Sequence, residues 1–83
     1  MPYIKPSDRE YIDNKILPIA FTCKGELEYA IFKLMNMYMK SREFKYSDLH
    51  DVTYAAAHCS DEFRRRFLDK REDSAMEQNG DIS

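Results

Sequence analysis

With 83 residues the chain is one small domain at most, a size at which folding hides only about 60–65% of the surface that the unfolded chain exposes. It is 43% hydrophobic and 34% charged, which excludes general disorder, and its net charge of −2 argues against nucleic acid held by phosphate neutralisation. No apolar run approaches the ~18 residues of a membrane span, and the N-terminus lacks the apolar core of a signal peptide. The expectation is therefore a cytoplasmic protein with no membrane partner.

Residues 1–6 read as an extended arm, because Pro2 and Pro6 each disfavour helix in the residue before them. Ser7 and Glu10 stand at capping-box spacing, which predicts that a first helix starts at Ser7. It carries Tyr11, Ile12, Ile16 and Leu17. Pro18 should kink it or restart it, with Ile19, Ala20 and Phe21 continuing as a second apolar piece to residue 23.

Gly25 opens the next segment, and Glu26 and Glu28 sit in the first turn, where the helix dipole favours acids. The second helix is expected over 25–41. Leu27, Ala30, Ile31, Leu34 and Tyr38 form one stripe at 100° per residue, Phe32, Met35 and Met39 widen it on one flank, and Met37 widens it on the other. An ordinary surface helix hides an apolar stripe a little over 100° wide. This one approaches twice that.

Ser47 is a suitable N-cap for a third helix over 47–73, with Asp48 and Asp51 in its first turn. Leu49, Val52, Ala56, Cys59, Phe63 and Phe67 recur at steps of three and four and share one face. The amphipathic order weakens after Leu68, and Asn79-Gly80-Asp81 is a turn signal in a tail over 74–83. The predicted fold is all-α: three helices with a long C-terminal one, completed by oligomerisation.

The chemistry-bearing residues are sparse. Arg64, Arg65 and Arg66 leave a helix in three directions. Arg65 has Asp61 and Asp69 four residues to either side, and Arg66 has Glu62 four before it, the pairings of a solvated helix. Arg64 is the least satisfied, and Arg71 lies two turns on along nearly the same line. His50 and His58 are eight residues apart, so the i, i+4 pair of a helical metal site is missing, and no Cys/His cluster supplies four ligands. Cys23 and Cys59 read as small, reduced, buried side chains. No nucleophile elbow or phosphate loop is present, and two glycines are too few to cradle a phosphate. The sequence predicts no catalytic residue, no cofactor, no metal and no enzyme.

The excess apolar width of the second helix points to an interface, with Phe32, Met35 and Met39 as candidates, since Met and aromatic residues are enriched at interface centres. Three short helices cannot cover both flanks, so a homo-oligomer is predicted.

Met1-Pro2-Tyr3-Ile4-Lys5-Pro6, with Asp8-Arg9-Glu10 and the later Asp13, Ile16 and Pro18, resembles the start of a family of small phage and prophage proteins of undetermined role. The resemblance continues through Gly25-Glu26-Leu27, Tyr29-Ala30-Ile31 and Leu34. It resumes at Glu62-Phe63, Arg65, Arg66, Glu72-Asp73 and Asn79-Gly80-Asp81. Members of that family carry proline where Lys70 stands and tyrosine where Arg71 stands, so here the third helix is free to run on unbroken. They also often carry asparagine where Glu28 stands. The resemblance implies a phage accessory protein in the cytoplasm of a bacterial cell and brings no catalytic residue.

Two functional expectations arise. One is a stoichiometric binder of a host protein, of the host-takeover or counter-defence kind. The other is an oligomeric sponge for an anionic nucleotide-like immune signal, ringed by Arg64, Arg71, Tyr54, Lys40, Arg42 and Lys45.

Overall fold

A computed structural model describes residues 3–82 of the chain; Met1 and Pro2 of the expected arm, and Ser83 of the expected tail, lie outside the described residues. All regular structure among the described residues is helical: α1 (Pro6–Ile16), α2 (Lys24–Lys40), α3 (Tyr46–Phe63), a π-helical turn over Arg64–Leu68, and α4 (Asp69–Asn79). The last three form one continuous C-terminal helix of 34 residues. At 1.5 Å per residue that is about 51 Å, and the molecule's longest extent is 50 Å.

α1 starts at Pro6 rather than at Ser7, and its N-cap Lys5 makes no side-chain capping bond. Proline suits the first helical position, because its fixed φ is already helical and the N–H it lacks would have no partner there. The helix stops at Ile16, so Pro18 ends it instead of kinking it. Proline cannot donate to a carbonyl one turn back, and the Ile19 N–H closes the chain onto the Ile16 carbonyl at 3.0 Å. Ile19, Ala20 and Phe21 are outside any helix.

α2 begins with Lys24, so Gly25 lies inside its first turn. Glu26 reaches back to accept from the Thr22 N–H at 2.9 Å and from its hydroxyl at 3.1 Å, anchoring the incoming chain. At the other end Arg42 folds back, donating to the Tyr38 carbonyl at 2.6 Å with its guanidinium 3.7 Å from the Tyr38 ring centroid. That cation satisfies a terminal carbonyl and the negative end of the dipole together. The connection to α3 places Glu43 (φ 54°) and Phe44 (φ 56°) in left-handed backbone. α3 starts at Tyr46 with Lys45 as N-cap, so Ser47 falls inside its first turn and does not cap it.

Among the described residues α2 and α3 are the one pair of separate helices whose backbones come close; the α1 backbone approaches neither, and Arg9 of α1 borders a cavity shared with α3. The core is correspondingly slight. Met39 (2% exposed) and Val52 (9%) are the buried side chains among the described residues, with Ala30, Met35 and Ala56 half-buried. Cys23 and Cys59, expected in a core, are exposed free thiols.

The surface is larger than that of a compact monomer of this mass. A folded monomer of 9.9 kDa exposes about 5,200 Å² by the usual scaling. This chain exposes 7729 Å², roughly 2,500 Å² more. Its radius of gyration is 16.6 Å, against about 12 Å for a compact domain of this length.

Candidate functional site

The C-terminal helix carries a polar node where the N-terminal arm meets it. Glu62 is the centre. Arg65 donates to it through Nη2 at 2.5 Å and Nε at 3.3 Å, and Arg66 Nε donates at 2.9 Å. The Tyr3 hydroxyl, from the far end of the chain, donates to the same carboxylate. It also accepts from Arg66 Nη2 at 2.6 Å, and the Arg66 guanidinium lies 5.3 Å from the Tyr3 ring centroid. These bonds favour the charged carboxylate, Arg65 first and then Tyr3 and Arg66, and hold the Glu62 pKa down at about 2.

The π-turn decides which arginine meets which acid. A wider turn aligns residues five apart, and the Asp69 N–H bonds back to the Arg64 carbonyl at that spacing. Arg64 Nε therefore comes within 3.9 Å of Asp69, while Arg64 Nη2 lies 3.8 Å from Asp61. Asp61 and Asp69, expected beside Arg65, go to Arg64 instead, and Arg65 goes to Glu62. Each extra residue in a turn also rotates the remainder of the helix by about 100°. Arg71 is thus carried off the line of Arg64 that an uninterrupted helix would have given it.

Beneath the arm, Cys59, Phe63 and Phe67 continue the apolar stripe of α3 beyond its contact with α2. Phe63 and Phe67 lie 4.8 Å apart by ring centroids. With Tyr3, Arg9, Glu62 and Arg66 they line an open cavity of about 360 Å³. Arg9 helps seat the arm by donating from Nε to the Ile4 carbonyl at 2.7 Å.

The expected interface residues divide. Met39 is spent inside the chain against α3 and offers nothing to an outside partner, Met35 is half-buried, and Phe32 is 64% exposed. Of the stripe that periodicity marked on α2, Leu27, Ile31, Leu34 and Tyr38 are exposed and Ala30 is half-buried, and Met37 on the opposite flank is exposed too. Of the residues expected to ring an anion, Arg42 is held at the end of α2 and Arg64 between two aspartates. Lys40, Lys45, Arg71 and Tyr54 are exposed, and among the described residues no ion pair engages the first three. Tyr54 belongs to a ladder on the outer face of α3, Tyr46–His50–Tyr54–His58, with successive ring centroids 4.5, 5.9 and 6.5 Å apart.

The Glu62–Arg66 pair stands as its i, i+4 spacing predicted, but its link to Tyr3 was not legible, because Tyr3 is 59 and 63 positions from these partners. The signal that could have found it is a lone tyrosine on a short arm and a glutamate serving two consecutive arginines. Among the described residues, no three His, Cys, Asp or Glu side chains converge as metal ligands, and no helix is long and apolar enough to cross a membrane.

Fold and surface together define a class: an all-α chain whose helices leave most of their apolar faces uncovered. A family model matches residues 1–82, and the chain belongs to that family, described as a domain of unknown function, DUF6899. Nothing among curated proteins or solved structures matches the chain.

Proposed function

We propose that this is a non-catalytic protein that acts by stoichiometric binding, as a homo-oligomer whose helices are completed by other chains. The observation that carries the reading is the near-absence of a core. Two buried side chains among the described residues and an excess of roughly 2,500 Å² of surface support the reading of a chain shaped to be covered. On the resemblance of its two ends to phage and prophage proteins, the proposed setting is a bacterial cytoplasm. The proposed target there is a host protein bound in host takeover or counter-defence. The cavity floored by Phe63 and Phe67 is the docking place assigned to that target, because it combines aromatic area with the arginine and carboxylate of the polar node.

Two measurements test this. Light scattering should give a solution mass above 9.9 kDa, and a monodisperse monomer at tens of micromolar would remove the premise. Affinity capture from bacterial lysate should yield a partner lost on Phe63→Glu or Phe67→Glu while circular dichroism stays helical. Equal capture by those folded variants would sink the docking place. The sponge reading ranks second, since Arg42 and Arg64 must leave their intrachain partners before they could hold a nucleotide. Calorimetric heat from a cyclic or ADP-ribose-derived nucleotide would reverse that ranking.

A further inference from the structure

We infer that a second copy of this chain covers the stripe Leu27–Ile31–Leu34–Tyr38, the two α2 helices lying antiparallel about a two-fold axis level with Phe32 and Lys33. This rests on the reading of the protein as a homo-oligomer and names the face that assembles it.

The stripe is left largely uncovered within the chain. α2 meets α3 through Met39, with Met35 half-buried beside it, and these two lie about a quarter turn round the helix from the stripe. All four stripe residues are exposed, Leu34 at 53%. At 100° per residue the sector holding Leu27, Ala30, Ile31, Leu34, Met37 and Tyr38 carries no charge, while Glu28, Lys33 and Lys40 fall outside it.

Three properties select a second copy as the occupant. The first is area. Obligate homodimers bury about 1,000–2,500 Å² per chain, and the chain as a whole exposes roughly 2,500 Å² more than a compact monomer, of which the stripe is one part. The second is symmetry. An isologous interface must be complementary to itself, and the intervals between the four residues are four, three and four, the same read from either end. A two-fold axis therefore exchanges Leu27 with Tyr38, Ile31 with Leu34, and Ala30 with Met35. Apolar meets apolar at each of these levels, with Ala30 and Met35 on opposite edges of the seam. The third is charge. The same operation sets Glu28 level with Met37 and Lys24 level with Ser41, so within α2 no like charges stand at one level.

The test is cross-linking joined to solution mass, in a Cys23→Ser, Cys59→Ser background that removes the two native, exposed thiols. In that background Leu34→Cys should give a covalent dimer with a short bis-maleimide, and Lys33→Cys, about 130° round the helix from the centre of the stripe, should not. Separately, Leu34→Glu should at least halve the mass seen by light scattering. Equal cross-linking at Lys33→Cys, or none at Leu34→Cys in a protein that scatters as an oligomer, overturns the assignment. So does an unchanged mass for Leu34→Glu. Those results leave the oligomer standing with another face, whereas a monomeric wild type ends both the assignment and the reading beneath it. Should Leu34→Glu unfold, the cross-linking pair decides alone.

Discussion

Glu62 joins two guanidinium groups and the phenol of Tyr3, a residue 59 positions away, and so ties the first described residue to the last long helix. Glu62→Gln keeps the shape and removes the charge that makes these bonds strong. The expected outcome is a released arm: amide protection over residues 3–9 falls toward that of an unstructured peptide, while protection of α2 and α3 is kept, as read by hydrogen exchange. Equal protection in the variant would show that the arm is held otherwise. The pH dependence stems from the depressed pKa. The unfolded glutamate titrates near 4.5 and the folded one near 2. The native state thus binds fewer protons between those values, and stability from this group is complete above pH 4.5 and lost as pH falls toward 2. The Tyr3 ring signals in NMR should hold constant down to about pH 4.5 and collapse to free-tyrosine positions near pH 2, a transition that Glu62→Gln abolishes.

At the scale of elements, helical periodicity made α2 and α3 visible, since a stripe at steps of three and four admits no strand. Which flank of α2 would be covered was not visible, because α2 is apolar round much of its circumference and periodicity does not say where α3 will cross. Met39 took the buried place and Leu34 did not. The π-turn was equally hidden, since no proline or glycine marks Arg64–Leu68 and the wider turn shows only in which acids the arginines reach. Three substitutions probe α2 at this scale. Met39→Ala empties the best-filled place in the chain and should lower stability by about 2–5 kcal/mol. Tyr29→Ala, at a side chain 68% exposed, should change it by about 0.5 kcal/mol or less. Gly25→Ala acts in the opposite sense. Gly25 lies in a helical turn, and a methyl group there would meet only Cys23 Sγ at 3.9 Å, an ordinary contact. The gain should be about 0.5–1 kcal/mol from reduced unfolded-state freedom. Urea midpoints at one fixed protein concentration check all three, and a destabilised Gly25→Ala would mean that another chain approaches that turn.

At the scale of the whole molecule, the excess of exposed apolar side chains links composition to assembly. The 43% hydrophobic content is ordinary. What departs from the ordinary is that an elongated chain leaves most of its large apolar side chains exposed. Such a chain should gain its folding free energy on association, so its stability depends on its own concentration. For a dimer that unfolds as it dissociates, each tenfold rise in concentration adds about 1.4 kcal/mol per dimer. Two chains of this length then melt roughly 3–6 °C higher per tenfold. Calorimetry or circular dichroism across two decades of concentration reads this directly. A melting temperature that stays fixed across that range would mean that the chain holds its helices together alone, and the uncovered stripe of α2 would then need another explanation.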